Sequence, residues 1–339
     1  MTAPQHRGVA AAPAEALSEN RRPRRGPVTI VRASETPVSE EDPFVRAVLT
    51  AGGELAELGQ QTRGIIWLSY GGAEVLAATL KTHPSIEWVQ LPYAGVDAFR
   101  DLLASYRNRP LPLWTSAKGA YSQPVAEHAL TLVLALLRVI PERARATSWP
   151  TGPKIGRSLF GLSVVIVGAG GIAIELIRLL EPFGVRVTIV RRSIGDLAGA
   201  ERSVPSDRLR DVLPDADVVV IAAASTAGTY RLFGPAEFAA MKSTAVLVNI
   251  ARGDLVDSDA LVAALATGEI AGAGLDVTDP EPLPDGHPLW TAPNILITPH
   301  SADTTAMTAP LLAERIRDNV AAFVGDGRFI GVVDPRAGY

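Results

Sequence analysis

Arg252, Glu281 and His300 are the residues of this chain whose types could do chemistry together. Each follows an apolar run of strand character: Arg252 comes after AVLVNIA, Glu281 after GAGLDVTDP and His300 after NILITP. In an open parallel sheet such positions fall on loops at the carboxyl ends of strands, where ligands bind. Hydride transfer to a 2-oxo acid needs a cation for the carboxylate and a group that passes a proton near neutral pH. It also needs a carboxylate that favours the charged form of that group. The three residues supply these types. Of the other histidines, His128 reads as helix packing, His287 as a loop residue before Pro288 and His83 as a helix end.

A second constellation precedes them. In VVIVGAGGIAIELI, Gly168, Gly170 and Ala173 form G-x-G-x-x-A directly after an apolar strand and at the start of a helix. Gly168 permits the tight turn, Gly170 lets backbone approach a pyrophosphate, and Ala173 allows close packing of helix on strand. The helix start, with Gly171 and Ile172, supplies N–H donors and positive dipole. The next strand, VTIVRRSIGD, raises a question of cofactor. An acid at its tip would bind the ribose hydroxyls of NAD, but here stand Arg191 and Arg192, followed by Ser193. Arginine bonds a 2′-phosphate that an acid would repel, so NADP(H) is expected to be preferred, with NAD(H) as the other cofactor.

The elements that must position these groups are legible as alternation. VTIVRA, GIIWLSY, IEWVQLPY and LPLWTSA read as strands, separated by helical stretches at 40–53 and 72–83. A long helix spans 122–147, interrupted or ended near Pro141. After a Pro/Gly-rich break come six strands, at 163–169, 186–192, 217–224, 244–251, 272–277 and 294–299. This is an α/β chain with two Rossmann-like domains. A final helix, 304–324, returns to the first domain, and a cleft between the domains is expected to hold the ligand. The expected division is 28–121 with 302–339 for substrate and 122–301 for NAD(P).

Composition narrows the function classes. Apolar residues at 47% and charged residues at 20% are those of a globular chain. A net charge of −4 supplies no field to draw nucleic acid or membrane. The absence of cysteine excludes disulfides, thiol catalysis and thiolate zinc sites, and no metal is expected. The longest apolar run, Ala129–Val139, falls short of the ~20 residues that span a bilayer, so a cytoplasmic protein is expected. Residues 1–27, rich in Ala, Pro and Arg, read as a solvated tail.

VLVNIARGDLVDSDALVAAL, GLDVTDPEPLPDGHPLW and NILITPHSA resemble successive signatures of the D-isomer-specific 2-hydroxyacid dehydrogenases, a likeness running from about Val28 to Tyr339. The resemblance implies a flavodoxin-like substrate domain beside the doubly wound dinucleotide domain. It implies that Arg252 binds the substrate carboxylate and carbonyl, that His300 gives and takes the proton, and that Glu281 holds and charges the imidazole. Asp276 would contact the nicotinamide amide, with Ala224, Thr229, Ile250 and Ala251 completing the cofactor contacts. GIIWLSYGG and EWVQLPYAGVDAF resemble the substrate loops of glyoxylate/hydroxypyruvate reductases, so N–H groups at Ala94 and Gly95 would meet the carboxylate, with Trp67 and Tyr93 as pocket walls or core. A homodimer through the cofactor domain is implied as well.

Two departures stand out: Ala223 and Ala224 replace a usual Leu-Pro pair, and Tyr121 stands where many relatives carry asparagine or a smaller residue. Two other readings stay open. One is an NAD-linked phosphoglycerate or lactate dehydrogenase, though YAGVD and WLSYGG bring no extra cation for a phosphorylated substrate. The other is a non-catalytic nucleotide-sensing regulator, which keeps the same Arg, Glu and His.

Overall fold

The computed structural model describes residues 17–32, 41–69, 72–149, 151–192, 195–325 and 327–336. The chain forms two compact units, one of Met1–Tyr121 with Thr305–Tyr339, the other of Ser122–Thr304.

The first unit is built on four parallel strands, β1 (Val28–Val31), β2 (Gly64–Trp67), β3 (Trp88–Gln90) and β4 (Leu113–Thr115), in that spatial order. They are short runs of β-branched and aromatic residues, and β2 to β4 are buried throughout, as strands covered on both faces must be. A fifth strand is reduced to one parallel bridge, Leu55 to Val28, on the free side of β1. Counting it, the order becomes 2-1-3-4-5, that of a flavodoxin-like sheet. A single bridging residue has no period to read, which is why the sequence did not announce it. Helix Pro43–Thr50 starts on Asp42, whose side chain accepts from the N–H groups of Phe44 and Val45.

Helix Thr305–Val324 belongs to this unit and brings a buried amide with it. Asn319 Nδ2 donates to Gln90 Oε1 (2.7 Å) and to Ile330 O (2.9 Å), and its Oδ1 accepts from Ile330 N (2.7 Å). Thr115 Oγ1 donates to Gln90 Oε1 (2.8 Å) and accepts from Trp88 Nε1 (2.9 Å). Gln90, Thr115 and Asn319 are wholly buried, so each lost bond leaves a group that water cannot reach. Asn319→Leu should therefore destabilise the protein by about 2–4 kcal/mol. Urea unfolding is the measurement, and a loss under ~1 kcal/mol would show that the network carries little.

Residues 17–27, expected to be tail, differ from that expectation. Leu17 N–H bonds to Gly327 O, and Arg22 and Arg25 both donate to Gly325 O just past the end of helix Thr305–Val324. Arg24 binds Glu87 through Nε (2.6 Å) and its backbone N–H (2.7 Å). Arginines at the carbonyl end of a helix satisfy its last acceptors and oppose its dipole, an interaction with no periodic signature. Residues 1–16 lie outside the described residues.

The second unit is a seven-stranded parallel sheet: β5 (Ser163–Val167), β6 (Arg186–Arg191), β7 (Arg202–Pro205), β8 (Val218–Ile221), β9 (Val246–Asn249), β10 (Gly272–Leu275) and β11 (Ile295–Ile297). Their order is β11-β10-β9-β8-β5-β6-β7, reversing between β5 and β8, where doubly wound sheets bind ligands. Six of these strands match the expected runs. The seventh, β7, is short, only partly buried and ends in Pro205, a composition that reads as loop and that a sheet edge tolerates. The expected helix 122–147 breaks at Val139, which is left-handed at φ 52°. Helix Ser122–Leu137 precedes the break and helix Ile140–Ala144 follows it. Pro141 lies in the first turn of the latter, where it starts a helix rather than interrupting one. The core gathers Val165, Val219, Leu247, Ala273, Phe233 and Leu261. Among the described residues, no helix is long and apolar enough to cross a membrane.

Candidate active site

The strand registers Ile221↔Asn249, Asn249↔Leu275 and Leu275↔Ile297 bring the ends of β8, β9, β10 and β11 into line. The residues after them share one edge of the sheet. Asn249, the last residue of β9, is wholly buried; its Oδ1 accepts from Ala251 N–H (3.1 Å) and its Nδ2 donates to Arg252 O (2.8 Å). It folds the loop that carries Arg252, whose Nη1 donates to Ala251 O (2.6 Å). Gly253 follows because nothing else fits: a Cβ there would lie 1.9 Å from Thr278 O. The Arg252 loop thus runs directly against the loop that carries Glu281.

His300 Nδ1 and Glu281 Oε1 are 2.7 Å apart. Glu281 uses its other oxygen to accept from Thr278 N–H (3.4 Å), so both ends of the carboxylate are occupied. With Nδ1 committed to Glu281, Nε2 is the ring atom left to exchange a proton. His300 has φ 48°, and its N–H bonds to the carbonyls of Asp276 (2.8 Å) and Thr298 (3.0 Å).

Asp276 lies inside rather than on the surface, at 2% exposure. Its Oδ1 accepts from Thr298 Oγ1 (2.6 Å) and Ser301 N–H (2.9 Å), and its Oδ2 from Ala302 N–H (3.1 Å). His128 Nε2 stands 3.4 Å from Oδ1. Burial by itself would push this carboxyl up, but the bonds from His128, Thr298, Ser301 and Ala302 outweigh it and hold the group below its ordinary value. Burial does raise the neighbouring Asp303 carboxyl, with His300 opposing and Asp276 adding to the rise.

On the cofactor side, Gly168 has φ 116°, and a Cβ there would come 2.4 Å from Ala222 O. Its N–H bonds to Val190 O (2.8 Å) and the register pairs Val167 with Val190, so Arg191 lies alongside Gly168. Arg191 is half-buried with Nη1 3.5 Å from Gly195 O, and Arg192 is exposed. Ser193 lies outside the described residues. The first bond of helix Gly171–Leu180 is Ile174 N–H to Gly170 O, which leaves Gly171, Ile172 and Ala173 ahead of the ladder at its positive end. Thr229 Oγ1 closes the β8 loop by donating to Ala224 O (2.8 Å) and accepting from Thr226 N–H (2.8 Å). Ile250 and Ala251 are buried.

These residues fit a dinucleotide. Among the described residues nothing lies within 4 Å of a Cβ built on Gly170, so none of them fills the space above the loop, and a helix N-terminus and an arginine border it.

In the first unit, Tyr93, Ala94 and Gly95 form the turn after β3, with Tyr93 and Ala94 exposed. Trp67, considered as a pocket wall, is 2% exposed and packs in the core with Leu76, Val89 and Trp114. Sequence reasoning missed Asn249 and Thr298 and read His128 as helix packing alone. The signal for each was a polar residue at a position the pattern reserves for apolar ones.

The family model of the D-isomer specific 2-hydroxyacid dehydrogenase NAD-binding domain matches residues 130–302. An uncharacterised protein in the proB 3′ region of Corynebacterium melassecola is 38% identical over 260 residues, 75% of this chain and 84% of that one. The human glyoxylate reductase/hydroxypyruvate reductase is 38% identical over 204 residues, 58% of this chain and 62% of that one. The chain therefore spans a little under two thirds of that reductase. The crystal structure of a D-isomer specific 2-hydroxyacid dehydrogenase from Xanthobacter autotrophicus Py2, in complex with NADPH and MES, superposes with a TM-score of 0.75 at 27% identity, over 93% of this chain and 100% of that one. Strand order, glycine loop and family match agree: the chain belongs to the D-isomer-specific 2-hydroxyacid dehydrogenases, a family of NAD(P)-dependent oxidoreductases.

Proposed function

We propose that the protein is an NADP(H)-preferring D-2-hydroxyacid dehydrogenase that reduces small 2-oxo acids of the glyoxylate/hydroxypyruvate type. The observation that carries this reading is the 2.7 Å contact of His300 Nδ1 with Glu281 Oε1, at strand ends beside the Arg252 loop. The nicotinamide, when bound, supplies the hydride. Arg252 pairs with the substrate carboxylate and polarises the carbonyl next to it. His300, oriented by Glu281, delivers the proton from Nε2 to the carbonyl oxygen and takes it back in oxidation. For the first unit, the proposal assigns substrate contacts to the turn at Tyr93, Ala94 and Gly95.

The cofactor preference rests on Arg191 and Arg192, which stand where an acid would serve NAD. Arg191→Ala should weaken NADPH about 10- to 150-fold, the worth of one charge-assisted bond, and leave NADH nearly unchanged. Initial rates with NADPH and NADH across glyoxylate, hydroxypyruvate, pyruvate and larger 2-oxo acids test the whole reading. Turnover with at least ~10-fold preference for NADPH supports it. Tight nucleotide binding without turnover would instead make the protein a nucleotide-sensing regulator.

A homodimer formed through the cofactor domain and a cytoplasmic location belong to the same proposal. The dimer draws support from apolar side chains left in water on the second unit, Trp149 at 92% and Phe160 at 65% exposure, with Ile140 and Ile155 nearby in sequence. Sedimentation velocity should give twice the chain mass, and a monomer at micromolar concentration would refute it.

A further inference from the structure

His128 has no part in the chemistry proposed above. It sits on helix Ser122–Leu137, on the stripe it shares with Val125 and Leu132, both buried. Its Nε2 lies 2.9 Å from Thr298 Oγ1 and 3.4 Å from Asp276 Oδ1. Counting protons gives these contacts a direction. The Asp276 carboxylate, held below its ordinary value, only accepts. The single Thr298 hydroxyl proton goes to Asp276 Oδ1, so the hydroxyl oxygen accepts from His128 and Nε2 carries a hydrogen.

What the carboxylate holds gives the contact its meaning. Asp276 takes the N–H groups of Ser301 and Ala302 on its side chain and that of His300 on its carbonyl. It therefore closes the turn at whose centre His300 adopts a left-handed backbone, a conformation that persists only where the surroundings over-determine it. A buried carboxylate in turn keeps its place only while its donors are complete.

We infer that His128 is a positioning residue for the reaction: its Nε2–H fixes the Thr298 hydroxyl on Asp276 and so holds the turn that aims His300. The inference rests on the proposed acid–base role of His300.

The test compares His128→Leu, His128→Gln and Thr298→Val in the full chain, with NADPH and glyoxylate. A mere packing role favours leucine on an apolar stripe over glutamine. The inference expects the reverse. His128→Leu should lower kcat about 10- to 100-fold with the Kd for NADPH changed less than threefold. His128→Gln, whose amide can donate from near the Nε2 position, should return to within about fivefold of wild type. Thr298→Val, which keeps the shape and removes the hydroxyl, should behave like the leucine variant. Hydrogen exchange at the amides of His300, Ser301 and Ala302 should speed up at least ~10-fold in the leucine and valine variants and stay near wild type in the glutamine variant. Wild-type kcat and exchange in His128→Leu, or a glutamine variant no better than leucine, would overturn the inference. Full turnover by His300→Ala would instead overturn the acid–base reading, with the exchange rates still reporting whether His128 holds the turn.

Discussion

His300→Ala should lower kcat for 2-oxo acid reduction by about 10²–10⁴-fold while the Kd for NADPH stays within a few-fold of wild type. On the proposed mechanism the carbonyl oxygen that receives negative charge would lose its proton donor, and water would have to replace a ring held 2.7 Å from Glu281. The glycine loop and Arg191, at the ends of β5 and β6, are untouched by the change, so nucleotide binding measured by fluorescence titration should survive. The separation of the two readouts is the point of the experiment. Turnover close to wild type would remove His300 from the chemistry. Loss of turnover together with loss of binding would show collapse of the loop rather than loss of a proton donor. Glu281→Gln should fall between, because the amide can still accept from Nδ1 but carries no charge to favour the imidazolium.

The second large effect is expected at a residue that has no side chain to offer. Gly253→Ala places a methyl 1.9 Å from Thr278 O and 2.0 Å from its carbonyl carbon. Both obstructing atoms are backbone, so no side chain can swing aside, and the two loops must part. A cost of about 3 kcal/mol or more follows, at the upper end of what overpacking does. Because one loop carries Arg252 and the other Glu281, kcat/KM should also fall at least ~10-fold at temperatures where the variant is folded. Urea unfolding and steady-state rates on the same preparation check both parts. A variant of native stability and rate would mean that the loops are free to separate.

The strands that carry Arg252, Glu281 and His300 were readable because buried parallel strands are continuous apolar runs, and AVLVNIA, GAGLDV and NILITP are such runs. The glycine loop was readable because backbone geometry dictates its residue types: Gly168 is left-handed against Ala222, and a Cβ on Gly170 would meet none of the described residues. Other features escaped for definite reasons. Leu55 joins the first sheet through one residue, and β7 is a half-exposed edge ending in proline. Arg22, Arg24 and Arg25 look like solvated charge in any window of sequence; their partners at Glu87 and Gly325 are far along the chain. His128 and Thr298 are 170 positions apart, and only the sheet brings them within 2.9 Å. Asp276 is the most instructive of these. Its place after β10 was readable, but its burial and its internal bonds depend on a turn that begins beyond another strand.

The discontinuity of the first unit sets the order in which the molecule can be made. Emerging from a ribosome, β1 to β4 appear early, but Trp88 packs against Phe323 and Phe329 and Gln90 bonds to Asn319, all from the far end of the chain. The second unit is one uninterrupted stretch and can close while those partners are still being synthesised. At ~5–20 residues per second the early strands therefore wait on the order of ten seconds or more with an apolar face uncovered. The unit whose strands are translated first is completed last.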